Sequence, residues 1–264
     1  MKVLRNVLLG ILAVAVIGLL CYQGFVTHEL ETTDLMKGLL VLAGLILLIF
    51  RGPRRTRATK KVYKSAYAHL IGDAFSQDPK LENQMYKALD DFNKGKYPAA
   101  FRKLEQLRDQ SPRSEDFFAT TVFMALCCSR MGNYEEAIGY YIAALQVKEH
   151  STVASNLGNC YLELGKTEEA LEYFQRAVRA DASNPNAYNN IAQLFIQLGE
   201  FEKALMYAED ALKINAKMPQ ALNAMAICHA MLGNDKESET YFKRAVACGS
   251  DGKSLRAYIN NLRT

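Results

Sequence analysis

Hydrophobic and polar positions divide this 264-residue chain into two unlike parts. Val7 to Val26 is a run of twenty residues without a charge, with LLGILAVAVIGLL at its centre. As a helix such a run rises about 30 Å, the thickness of a bilayer's hydrocarbon core. A second apolar stretch, Leu35 to Phe50, has sixteen residues and carries Lys37 near its start. It would rise about 24 Å, so spanning requires the lysine to snorkel and the bilayer to thin slightly. The eight residues between them, THELETTD, hold three acids and neither Lys nor Arg, as suits a tight turn on the outer side. From residue 65 onward apolar positions recur with helical spacing, and no run is long enough to cross a bilayer. The pattern predicts a two-helix transmembrane hairpin within residues 1–50 (spans 7–26 and 35–50), followed by an all-α amphipathic region.

The amphipathic region is self-similar. The segments KGKYPAA (94–100), MGNYEEA (131–137), LGKTEEA (164–170), LGEFEKA (198–204) and LGNDKES (232–238) share one pattern. Their glycines, Gly95, Gly132, Gly165, Gly199 and Gly233, stand 37, 33, 34 and 34 residues apart. A fixed period of this length marks a solenoid of stacked helix pairs, in which no pair buries its apolar face alone and neighbours share one core. With each glycine at repeat position 15, position 8 is Ala88, Ala125, Gly158, Ala192 and Ala226. Position 20 is Ala100, Ala137, Ala170, Ala204 and Ser238; position 27 is Leu107, Ala144, Ala177, Ala211 and Ala245. Small residues at these places let helices approach closely, and Leu104, Tyr141, Phe174 and Phe242 at position 24 fill the space between them.

These positions closely resemble the tetratricopeptide-repeat family. The resemblance implies an all-α solenoid of about five helix pairs over residues 81–247, closed by a C-terminal capping helix in 248–264, Lys253 to Leu262. A basic juxtamembrane segment and a linking helix, about Lys60 to Phe75, fill residues 51–80. Repeat one departs from the pattern, with Gln84 and Asp91 where large apolar or aromatic residues are usual. Family members hold peptides in the concave groove through positions 2, 5, 9, 12 and 13 of each first helix. Those positions here include Ser155, Asn159, Asn186, Asn189, Gln193, Gln197, Gln220 and Asn223, an amide-rich stripe. Members that clamp carboxylate tails carry several groove cations, whereas this groove has Arg130 without a matching set.

Charge places the parts. Seven of the 32 basic residues fall between Arg51 and Lys64, while residues 65–264 hold 22 Lys plus Arg against 25 Asp plus Glu. That balance is a solvated surface rather than a nucleic-acid footprint. Lys2 and Arg5 before the first span and the RGPRRTRATKK run after the second put both termini and the repeats on the cytoplasmic side, with a bacterial cell membrane as the expected location. The six cysteines form no CxxC pair and the four histidines share no spacing with a nucleophile, so neither a metal site, a cofactor nor a catalytic residue is expected. Cys127, Cys160 and Cys228 share repeat position 10 and read as packed small residues. The expected function is a membrane-tethered adaptor that captures a protein or peptide partner in its groove. The alternative is a subunit or assembly factor of a membrane complex that uses its hairpin and lateral helix faces.

Overall fold

The computed structural model describes residues 67–111 and 113–263. Both candidate spans and the basic run lie outside these residues. Among those described, no helix is long and apolar enough to cross a membrane. All regular structure described is helical: α1 (Ala68–Ile71), α2 (Pro79–Asn93), α3 (Tyr97–Arg108), α4 (Ser114–Arg130), α5 (Tyr134–Val147), α6 (Ser151–Glu163), α7 (Thr167–Ala180), α8 (Pro185–Gln197), α9 (Phe201–Ile214), α10 (Pro219–Met231), α11 (Asp235–Ala247) and α12 (Gly252–Arg263). Helices α2 to α11 pair in order into five hairpins, each packing on the next.

The hairpins turn where the sequence places glycine. Gly165 and Gly199 adopt φ of 71° and 74°, a left-handed conformation that a side chain would strain. Pro79, Pro185 and Pro219 each stand at the first position of a first helix, where the missing amide hydrogen does no harm. Position 8 is fully buried in all four alanine-bearing repeats, as are the alanines of positions 20 and 27. Gly158 shows why the position is small: a Cβ there would meet the Phe174 ring at 2.6 Å and the Ala170 carbonyl oxygen at 3.1 Å.

Positions 11 and 23 form a second repeating contact, joining the two helices of a hairpin. Tyr161 stacks on Tyr173, Phe195 on Tyr207 and His229 on Tyr241, with centroids 5.3, 5.6 and 5.4 Å apart. Repeat one meets the same need differently. Its unusual Asp91 forms an ion pair with Lys103, the residue at position 23. The departure is therefore compensated within its own hairpin.

Of the helix expected over residues 60–75, the described part is the single turn α1, and residues 72–77 are turns. Gly72 and Phe75 have φ of 51° and 60°, which breaks the helix. The segment instead crosses α4. Tyr67 packs edge-on against Phe123 at 5.1 Å, and its hydroxyl donates to Asn93 Oδ1 at 2.8 Å. Asp116, only 2% exposed, accepts from the Phe75 amide at 2.6 Å and from the Ser111 hydroxyl at 2.5 Å. His150, just before α6, meets the His69 carbonyl through Nε2 at 2.8 Å. Leu70, Ile71, Ala74 and Phe75 are buried in the same apolar cluster as α4. The added first turn of α4, which carries Asp116, also accounts for the long spacing from Gly95 to Gly132: α4 has 17 residues where α6, α8 and α10 have 13.

Candidate functional site

The first helices of repeats three to five, α6, α8 and α10, stand side by side, with α8 touching both neighbours. Each is built to present one inner face. In α8 the Asn184 side chain caps the first turn by accepting from the Asn186 amide at 3.1 Å, and Ile191, Ala192, Leu194 and Phe195 turn into the core. That leaves Asn189 and Gln193, one turn apart, on the remaining face. In α10 the same register places Asn223 and Ile227 there, with Gln220 one turn before Asn223.

Ser155, Asn189 and Asn223 stand at repeat position 5, each 34 residues from the next, and form a column across the three helices. Ser155 and Asn189 are 5% and 7% exposed, and Asn223 is half-buried. Ser155 Oγ, Asn189 Oδ1 and Asn223 Oδ1 are buried and have no hydrogen-bond partner among the described residues. Buried polar atoms are nearly always paired, so three unpaired oxygens at equivalent positions call for a reason.

A recess of about 500 Å³ opens over part of this column. Asn189, Gln193, Gln220 and Asn223 line it, together with Ile227 and, from the C-terminal segment, Asp251, Ser254, Leu255 and Tyr258. Four of the eight sequence-predicted site residues therefore converge. The other four do not line it: Ser155 stays in the column beyond the recess, Asn159 and Gln197 are exposed, and Asn186 turns its side-chain amide toward Asn184 Oδ1 at 3.3 Å.

The sequence predicts α12 only as a cap, whereas in the structure it also walls the recess. Its amphipathic pattern buries Leu255 and Ile259. Arg263 ties its end down by donating to the Ala230 carbonyl at 2.7 Å and to Asp235 at 2.5 Å, satisfying one of the open carbonyls at the end of α10. At its start Asp251 accepts from the Lys253 amide at 3.0 Å and the Ser254 hydroxyl at 2.5 Å. The Ser254 hydroxyl and these backbone amides hold the Asp251 carboxyl below the usual carboxylate range. Ser254, Leu255 and Tyr258 follow a helical spacing that was visible in the sequence, but nothing local showed that this face would meet α10.

No Lys or Arg lines the recess. Burial pushes the thiols of Cys127 and Cys228 up to about 12, which makes them packed groups rather than nucleophiles. No cluster of three or more metal-ligating side chains occurs among the described residues. The arrangement offers neutral hydrogen-bonding groups beside an apolar patch of Ile227, Leu255 and Tyr258, which is chemistry for binding a chain.

Among curated proteins, none matches this sequence. The fold is similar to that of MamA, with a TM-score of 0.53 at 18% identity over 65% of this chain and 96% of that one. It is similar to Pseudomonas aeruginosa PilF, with a TM-score of 0.59 at 18% identity over 71% of this chain and 86% of that one. A tetratricopeptide repeat protein from Parabacteroides merdae reaches 0.58 at 26% identity, covering 68% and 72% of the two chains. Family models described as tetratricopeptide repeat match residues 116–183, 152–217 and 189–253, together more than half of the sequence. With that match, the five-hairpin solenoid and the buried small residues at positions 8, 20 and 27, the chain belongs to the tetratricopeptide-repeat family.

Proposed function

We propose that this protein is an adaptor that captures an extended segment of a partner protein in the groove of α6, α8 and α10, while an N-terminal hairpin tethers it to the cytoplasmic face of a bacterial membrane. The column Ser155, Asn189 and Asn223 carries the reading. Leaving a buried polar group unpaired costs about 1–3 kcal/mol, a cost that the amides of a bound chain would offset. Asparagine offers both a donor and an acceptor, so it pairs with a main chain whatever the side chains of that chain are.

The tether rests on the uncharged run 7–26, the apolar run 35–50 and the basic residues that flank them. Confining the groove to a surface raises the effective concentration of a membrane-associated partner. The assembly-subunit alternative has less behind it on the repeats, because among the described residues the large apolar side chains left exposed, such as Val147, Met206 and Val246, are spread over α5, α9 and α11.

In-membrane cross-linking with mass spectrometry tests the proposal by comparing the wild type with the Asn189→Ala, Asn223→Ala double variant. The expected result is the loss of one partner with helicity unchanged. An unchanged set of partners would sink the groove reading. Replacing residues 1–50 with an unrelated two-span anchor separates the alternatives, since an adaptor tolerates the exchange and a membrane-embedded subunit does not.

A further inference from the structure

The inner face of the solenoid is not free along its whole length. In repeats three to five, groove positions 2, 5 and 9 are polar except for Ile227, as in Asn186, Asn189 and Gln193 of α8. In α4 the same positions are Ala119, Val122 and Leu126, and in α2 they are Glu82, Met85 and Leu89, so positions 5 and 9 are apolar in both. Ala119, Val122, Met85 and Leu89 are almost fully buried. Leu70, Ile71, Ala74 and Phe75 share one apolar cluster with these four groove residues, and residues 67–77 reach the end of α2 at Asn93, the middle of α4 at Phe123, its first turn at Asp116, and the start of α6 at His150. A short segment that touches three neighbouring first helices and shares a core with their groove residues covers part of the face those helices share.

We propose that residues 67–77 are a plug bound in cis, which occupies the groove of repeats one and two and confines a partner to the stretch between His150 and α12. This deepens the adaptor reading and rests on it. The two halves differ in chemistry in the way such a division requires. At positions 5 and 9 the occupied half is apolar and matched by Leu70, Ile71, Ala74 and Phe75, whereas the open half leaves Ser155 Oγ, Asn189 Oδ1 and Asn223 Oδ1 unpaired. Neighbouring first helices lie about 10 Å apart, so the three rungs of the column span about 20 Å. An extended chain rises about 3.3 Å per residue, so about six residues cross the rungs and about nine reach the wall of α12. A polyproline-type chain repeats every three residues with a rise of about 3.1 Å each, so every third amide of the ligand falls opposite a rung. The ligand is therefore a short extended polypeptide, read through its main chain, with one apolar side chain seated against Ile227, Leu255 and Tyr258. With no cation in the recess, its free carboxylate is not recognised.

The test uses the full-length chain and peptides selected on it from a displayed library of random 15-residue sequences, shortened from each end and measured by fluorescence anisotropy. The expected minimal core is about six to nine residues, with affinity indifferent to C-terminal amidation and lowered at least tenfold by N-methylation at one register of every third residue. A photoreactive group at either end of the core should label α6 or α12. A minimal core of twelve or more residues, or labelling of α2 or α4, would show that the plug yields and overturns this inference while leaving the groove reading intact. Selected peptides that bind the Asn189→Ala, Asn223→Ala variant equally well would instead remove the groove reading itself, and failure to select any peptide would remove both. The Leu70→Asp, Ile71→Asp variant provides a second check: with the plug expelled, peptides extended toward repeat one should gain at least tenfold over their short cores, and no gain counts against the plug.

Discussion

Gly158→Ala isolates the packing rule on which the solenoid depends. Helix propensity alone favours the change, since alanine stabilises a helix interior by about 1 kcal/mol relative to glycine. The structure opposes it. The added methyl carbon would stand 2.6 Å from two carbons of the Phe174 ring and 3.1 Å from the Ala170 carbonyl oxygen. Phe174 is fully buried and Ala170 belongs to the backbone of α7, so neither neighbour gives way freely. Overpacking of this kind costs about 1–3 kcal/mol. A contact well inside van der Waals range points to the upper part of that range, which leaves a net loss of about 1–2 kcal/mol after the propensity gain. Urea unfolding followed by circular dichroism should show a lower midpoint for Gly158→Ala. Combining it with Phe174→Leu should recover at least 1 kcal/mol relative to the sum of the single changes, because the second substitution removes the ring edge that the methyl meets. A midpoint above that of the wild type, or strictly additive losses, would refute the close approach of α6 and α7 at this position.

Two further outcomes follow from the same geometry. Asn189→Leu should raise the stability of the free protein by about 1 kcal/mol while weakening partner capture, because it removes a buried unpaired oxygen and fills the same volume; a stability loss in urea would show that the amide is paired after all. Cys127 and Cys228 have folded values pushed by burial to about 12, above the usual thiol value of 9.0. Their contribution is fully present below 9.0 and is lost between 9.0 and about 12, as the unfolded thiols ionise first. The Cys127→Ala, Cys228→Ala variant should accordingly lose less stability between pH 9 and 11 than the wild type, as measured by urea midpoints across that range.

The repeat period, the turn glycines and the small residues at positions 8, 20 and 27 are local features with short-range causes. A turn that requires positive φ and a helix contact that excludes a methyl group leave their mark at the residue concerned, so Gly165 and Gly158 were legible without coordinates. The compensation of Asp91 by Lys103 was not, although both residues lie in one repeat. It becomes visible only when α2 and α3 pair and bring position 11 against position 23.

The groove residues divide along the same line. Periodicity identified the faces of α6, α8 and α10 that turn away from the core, and with them Asn189, Gln193, Gln220 and Asn223. It could not tell these from Asn186, whose amide is drawn to Asn184 at the helix start, or from Gln197, which lies at the exposed end of α8. That Leu255 and Tyr258 of α12 wall the recess, and that residues 67–77 cross α4, depends on segments distant in sequence meeting across the stack. The sequence by itself determined the helices of the five repeats, their pairing and the polar stripe, because each follows from spacing within one repeat. Only the tertiary structure decided which residues of the stripe line the recess and which do not, because burial at a solenoid's inner face depends on which segments distant in sequence pack across it.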